Sequence, residues 1–211
     1  MVDHPIFTES IRRIRALLGE TGFDPLQQQV LERLVHSSGD PGLLPLLRFS
    51  DGACERGLEA LKNGALILTD TAMAAAAVTP MATRTLGTPV RCLLDWAPSQ
   101  SPPGSTRSAA AMQRAWPELT AAASTAGQSM PVVLVGSAPT ALEQLMDQVA
   151  DAAAAPSLVI GMPVGFVGVP ESKRRLAVTE LAQIRLEGTR GGAGLVGAAA
   201  NALFRASAAA E

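Results

Sequence analysis

The chain has 211 residues, of which 47% are hydrophobic and 17% charged, with a formal net charge of −2. That length suits one α/β domain with a sheet enclosed between helical layers, and that balance excludes disorder driven by excess charge. A weakly acidic chain with 3% aromatics and no Tyr offers neither a basic field for phosphodiester backbones nor stacking platforms for bases, which excludes nucleic acid as a partner.

The first residues, Met1-Val2-Asp3-His4-Pro5, place an acid and a proline where a secretory signal needs a basic start and an apolar run. No stretch reaches the roughly 20 apolar residues of a spanning helix, so the protein is expected to be cytoplasmic and to make no membrane contact. The first third reads as helical. Thr8 is the expected N-cap of a helix with Ile11, Ile14, Leu17 and Leu18 on one face, closed by Gly19 and Gly22. Asp24-Pro25 then supplies a cap followed by the proline favoured at the first helical position, with Leu26, Val30, Leu31 and Leu34 as the apolar face and an end near His36 to Gly39. Asp51 is expected to cap a third helix running to about Lys62, where Asn63-Gly64 stops it.

From there the pattern changes to short apolar runs at 65–69, 89–94, 131–135, 157–160 and, less clearly, 183–186. Helical stretches lie between them, from Thr71 onward and at 106–116, 139–153 and 171–181, with a last helix at 192–204. This alternation predicts a single α/β domain over residues 1–211: a mainly parallel sheet of about five strands, helices on both faces, and a helical N-terminal segment. The Pro- and Ser-rich stretch at 97–105 reads as a flexible connection within the domain. The alanine tracts at 74–77, 152–155 and 198–200 read as small residues packed along helices, not as a repeat.

In such sheets ligands bind beyond the carboxyl ends of the strands. The segments there are Gly-rich: Gly136-Ser137-Ala138-Pro139-Thr140, the run from Gly161 to Gly168, and Gly188-Thr189-Arg190-Gly191-Gly192, whose amides could meet carboxylates or phosphates. Gly192-Ala193-Gly194-Leu195-Val196-Gly197 matches G-x-G-x-x-G but lacks the acidic residue about 20 positions on, so close helix–sheet packing is the preferred reading over dinucleotide binding. Val169-Pro170 stands where a P-loop needs Lys and Ser or Thr, and Ser137 lacks the G-x-S-x-G elbow of a hydrolase. Cys54 and Cys92 have no metal or redox spacing and are expected to be reduced, buried thiols.

Two residues remain as candidates for chemistry. His36 follows an amphipathic helix, where the negative end of the helix dipole favours imidazolium and would raise its pKa toward use as a proton donor. Position alone favours a plain charge–dipole role over a catalytic one. Arg107 opens a predicted helix, where a cation opposes the dipole; it is either solvated or turned toward a ligand.

Taken together, Val35-His36-Ser37-Ser38-Gly39, Thr69-Asp70 followed by Met73, Thr106-Arg107-Ser108-Ala109-Ala110, Ala138-Pro139-Thr140-Ala141-Leu142, and Gly161-Met162-Pro163-Val164-Gly165-Phe166-Val167 with Glu171-Ser172-Lys173 resemble the precorrin-8X methylmutase family. Gly191-Gly192 and Asn201-Ala202-Leu203 extend the resemblance, which runs from about Ser10 to Leu203. It implies an isomerase of cobalamin biosynthesis that moves a methyl group from C-11 to C-12 of precorrin-8X to give hydrogenobyrinic acid; a related branch takes the cobalt-containing substrate. It implies that His36 is the proton or hydrogen-bond donor and that Ser10, Thr79 and Arg107 hold the substrate, a polycarboxylate corrin precursor. It further implies no cofactor and no catalytic metal, a homodimer with sites near the subunit interface, and transient contact with neighbouring pathway enzymes. The chain departs from many relatives in lacking a longer, Tyr-containing N-terminal stretch, in Ser137 where Asn is frequent, and in Ala193 where Ser is frequent. Each change removes a polar contact, so a non-catalytic corrinoid carrier stands as an alternative to the enzyme. A nucleotide-dependent enzyme using the terminal Gly motif is a weaker one.

Overall fold

Several helices in this chain begin where a side chain accepts from an orphan amide. The computed structural model describes residues 4–151 and 154–209; the first three residues and part of the 152–155 alanine tract lie outside the described residues. Helix α1 (Pro5–Leu18) starts earlier than Thr8 predicts, because His4 Nδ1 accepts from the Ile6 amide at 3.2 Å and Pro5 needs no partner at the first position. Helix α2 (Pro25–Ser38) has the expected Asp24 cap, completed as a capping box by Gln27. Helix α3 (Ala53–Lys62) is not capped by Asp51: Gly52, at φ 64°, is the N-cap, and the Asp51 carbonyl instead accepts from Arg56.

The sheet has six strands in the order β1-β6-β5-β4-β2-β3. Strands β2 (Ile67–Thr69), β3 (Val90–Cys92), β4 (Val132–Val135), β5 (Leu158–Gly161) and β6 (Gln183–Leu186) are the five predicted ones and are parallel. The sixth, β1 (Leu47–Phe49), pairs antiparallel to β6 with Leu47 opposite Leu186. Its three residues follow a 3-10 segment (Pro41–Leu46) and are too few to show an alternation in the sequence. Both edge strands, β1 and β3, carry an arginine at their centre, Arg48 and Arg91.

Alternate residues of the strands face opposite layers, as a period of two requires. Ile67, Val132, Leu134, Leu158 and Ile160 pack with α1–α3, α4 (Ala72–Arg84) and α8 (Ala193–Ala209). Leu68, Val133, Val135 and Val159 pack with α5 (Arg107–Ala126), α6 (Pro139–Ala150) and α7 (Val169–Ala177). Helix α5 runs ten residues past Trp116 despite Pro117, because Leu119 and Ala123 continue its buried stripe while Pro117 itself is exposed. The glycine motif 192–197 is indeed a packing device, but its last member meets a helix: a Cβ on Gly197 would lie 2.7 Å from the Ala77 Cβ of α4. Cys54 is buried, which pushes its thiol up to about 12, whereas Cys92 ends an edge strand and is only half-buried, contrary to expectation. Among the described residues no helix is long and apolar enough to cross a membrane.

Taken in chain order the parallel strands run 2-1-3-4-5, so the winding reverses between β2 and β4. Asp70 directly follows β2 at that reversal and is 2% exposed. Its Oδ2 accepts from the amides of Gly136, Ser137 and Ala138 at 3.0, 2.6 and 2.8 Å. Burial pushes its carboxyl above the usual range, while these amides pull it back. Hydrogen bonds to a charged group contribute about 1.5–3 kcal/mol each, and these three share one oxygen. Asp70→Ala is therefore expected to lower the unfolding free energy by about 3 kcal/mol in urea denaturation; a loss under about 1 kcal/mol would show that the three amides do not need the carboxylate.

Candidate active site

Phe7, Ser10, Ile11 and Ile14 recur at helical spacing on α1, which turns that face toward α2. Ser10 thereby meets His36 in the last turn of α2, with Oγ 2.8 Å from Nδ1. The Phe7 ring stands edge-on to the imidazole, centroids 5.1 Å apart and planes at 79°. Two guanidiniums also approach this ring: Arg33 of α2 at 5.2 Å and Arg205 of α8 at 4.4 Å from its centroid. Beside them α1, α2 and α8 enclose a groove of about 520 Å³ lined by Phe7, Ile11, Arg12, Arg15, Arg33 and Arg205 among others.

The electrostatics of His36 reverse the sequence expectation. Burial lowers its pKa below the ordinary value, and Arg33 and Arg205 lower it further. The helix C-terminus favours imidazolium, but half-burial and two facing cations outweigh that field. The lowered pKa favours the neutral imidazole, in which a Ser10 hydroxyl donating to Nδ1 would leave the proton on Nε2.

Within one chain, Ser10 and His36 come together and the other two anticipated residues do not join them. Thr79 is exposed on α4, with its hydroxyl donating to the Ala75 carbonyl at 2.7 Å. Arg107 is exposed at the start of α5, the helix layer on the opposite face of the sheet, and its Nε donates to the Pro98 carbonyl at 2.8 Å. Next to it the hydroxyls of Thr106 and Thr140 lie 2.7 Å apart, tying α5 to α6.

The Gly-rich loops at the strand ends bind one another. The amides of Gly136, Ser137 and Ala138, anticipated as a ligand nest, are taken by Asp70. Gly192 donates to Met162 at 2.9 Å, Gly165 to Thr189 at 3.1 Å, and Val164 to Gly136 at 3.2 Å. A Cβ on Gly191 would sit 1.9 Å from the Met162 carbonyl oxygen, so only glycine fits there. Lys173, 2% exposed, fastens the same loops by donating to the carbonyls of Gly188 at 2.9 Å and Arg190 at 2.6 Å. Burial lowers its pKa to about 8. The loop after β5 presents Phe166 and Val167 outward, 86% and 90% exposed. Sequence reasoning missed Arg33, although it lies one helical turn before His36; nothing local marked Arg205, Asp70 or Lys173 for these roles.

In this doubly wound α/β domain, a serine-paired histidine beside an arginine-lined groove is the candidate active site. The family model for precorrin-8X methylmutase matches residues 5–206. The chain belongs to the precorrin-8X methylmutase family, isomerases of cobalamin biosynthesis. It is 36% identical to the precorrin-8X methylmutase of Pseudomonas aeruginosa over 94% of this chain and 93% of that one. It is 32% identical to the cobalt-precorrin-8 methylmutase of Synechocystis sp. over 96% of this chain and 95% of the relative. The crystal structure of precorrin-8X methylmutase from Thermus thermophilus superposes with a TM-score of 0.81 at 38% identity, covering 97% of this chain and 96% of that one.

The loop fastening at Lys173 has a measurable sign. Its pKa is about 8 in the folded protein and near 10.5 when exposed, so between those values the unfolded chain binds the extra proton and stability rises with pH. The denaturation midpoint is expected to rise from pH 7.5 to pH 10 relative to Lys173→Met, which lacks the titrating group; parallel curves for the two proteins would refute the assignment.

Proposed function

We propose that this protein moves the methyl group of precorrin-8X from C-11 to C-12, giving hydrogenobyrinic acid, with His36 as the donor to the macrocycle. The observation that carries this reading is the Ser10–His36 pair: Ser10 Oγ sits 2.8 Å from Nδ1, which leaves Nε2 as the ring nitrogen to serve the macrocycle, beside a groove fitted to an apolar, carboxylate-edged ring. The reaction is an isomerisation. One C–C bond breaks at C-11 and one forms at C-12, with no net gain or loss of protons, so any proton lent by His36 returns to it. A hydrogen bond or proton on the ring draws electron density from the migrating centre and lowers the barrier.

Ser10, Thr79 and Arg107 hold the substrate, Arg107 by a charge-assisted contact to a rim carboxylate. Arg107 and His36 lie on opposite faces of one chain's sheet, and a homodimer with sites near the subunit interface supplies the missing proximity. The enzyme works in the cytoplasm, with transient contacts to its pathway neighbours. Its relatives include both the metal-free and the cobalt branch at similar identity, which favours cobalt-precorrin-8 as a second substrate; the cobalt there belongs to the substrate.

His36→Ala is expected to lower kcat by about 10²–10⁴-fold while product binding persists, measured by absorbance with precorrin-8X and its cobalt analogue. Undiminished turnover would refute the donor role, and product binding by the wild-type protein without turnover of either substrate would select the carrier. Arg107→Ala is expected to raise KM more than it lowers kcat, as loss of a positioning contact does.

A further inference from the structure

We propose that Phe166 and Val167, on the loop after β5, form an apolar platform beside Arg107 against which the face of the corrin precursor rests, while Arg107 grips a carboxylate on its rim. The inference rests on the corrin-precursor reading above and names the residues that meet the ring itself. Of the eight large apolar side chains exposed among the described residues, five follow the carboxyl end of a strand: Met73 after β2, Leu94 after β3, and Val164, Phe166 and Val167 after β5. Phe166 is the one exposed aromatic among them. Single exposed apolar residues are ordinary, but three within four positions, at the edge where doubly wound sheets take their ligands, mark a contact surface. Their exposure is built into the loop. Gly165 at φ 144° and Gly168 at φ 71° bracket Phe166 and Val167 in conformations that residues with a Cβ rarely adopt. On the near side of the pair the Val164 amide donates to Gly136 at 3.2 Å and the Gly165 amide to Thr189 at 3.1 Å, which fixes the base of the loop. An apolar surface held in water in one shape favours a ligand that covers it, and the fixed shape spares the cost of ordering it on binding.

The chemistry of the occupant follows from what surrounds the platform. The amides of Gly136, Ser137 and Ala138 are spent on Asp70, and those of Val164, Gly165 and Gly192 on carbonyls of neighbouring loops. An occupant of this edge is therefore held by apolar contact more than by backbone donors. Positive charge comes from the side. The loop after β4, which Val164 joins through Gly136, carries Thr140, whose hydroxyl lies 2.7 Å from that of Thr106 at the head of α5, next to Arg107. The Pro98 carbonyl fixes Arg107 by its Nε, and among the described residues no carboxylate pairs with this exposed side chain, so its terminal nitrogens can grip an acid of the ligand. An apolar platform with one arginine at its margin matches a flat ring edged with carboxylates. Arg107 opens α5 and the Phe166 loop leads into α7, both on the same face of the sheet, so the two serve the half of the site away from His36.

The test uses the full chain and two ligands, hydrogenobyrinic acid and the uncharged heptaamide of the same ring, with affinities read by absorbance titration. Phe166→Ser is expected to lower the affinity for both ligands by the same factor, about 10- to 100-fold, because an apolar contact does not depend on rim charge. Val167→Ser is expected to act likewise to a smaller extent, and Phe166→Leu to keep most of the affinity. Arg107→Ala is expected to weaken the acid and leave the heptaamide unmoved. Val178→Ser, exposed at the other end of α7, is expected to change neither. Phe166→Ser and Val167→Ser proteins that bind both ligands as tightly as wild type, or a loss confined to the acid, overturn the platform. Sedimentation of the same samples is expected to show one species throughout; a smaller species for Phe166→Ser assigns the patch to a contact between copies and equally overturns it. Each of these failures leaves the methylmutase reading standing when the wild-type protein turns over precorrin-8X, whereas a wild type that neither binds product nor turns over substrate overturns both. Val167→Ser decides the matter if Phe166→Ser fails to fold.

Discussion

A buried carboxylate held by backbone amides organises the upper edge of the sheet. Asp70 stands where the strand order reverses, and its charge is met by three consecutive amides 66 to 68 residues further along the chain. Desolvating a carboxylate is costly unless its oxygens are hydrogen-bonded, so β2 and the loop after β4 must meet in one register for the fold to be stable. Lys173 repeats the arrangement with opposite sign, a buried ammonium met by two carbonyls of the loop after β6. Both charges are satisfied by backbone, so a shift of either loop breaks several bonds together.

That internal satisfaction redirects the chemistry. Amides that would otherwise attract an anion at the switch point are spent on Asp70, and the arginine-lined groove lies on the α1–α2–α8 side next to His36. The site is thus built from helix faces, and its tools are side chains on rigid elements.

Local patterns were legible wherever one element carried the whole signal. The five parallel strands, the Asp24 cap and the helix end at His36 follow from periodicity and capping residues within a dozen positions. What escaped depends on partners distant in sequence. Asp70 looks like an ordinary residue after a strand until the β4 loop folds onto it, and Arg205 acquires meaning only when the fold brings it over the Phe7 ring of α1. The direction of the His36 shift was misread because a helix dipole can be inferred from one helix, whereas burial and two cations from neighbouring turns and helices cannot. Strand β1 escaped for a simpler reason: three residues hold too little alternation. The family resemblance supplied Ser10, which helix spacing alone would have left as one polar position among several.

The short strands at the two margins of the sheet carry one more consequence. Arg48 sits in the middle of β1, where it pairs with Glu187 at 2.9 Å, and Arg91 sits in the middle of β3, over the Trp96 ring at 4.6 Å. Brief strands with a central charge are poor templates for pairing with another chain, since a growing ladder would run out of backbone within a few residues and strip water from a guanidinium. The sheet therefore ends within its own molecule. Its margins thus leave helices and loops, the surfaces that carry Thr79, Arg107 and the groove beside His36, as the better ground for contact between molecules.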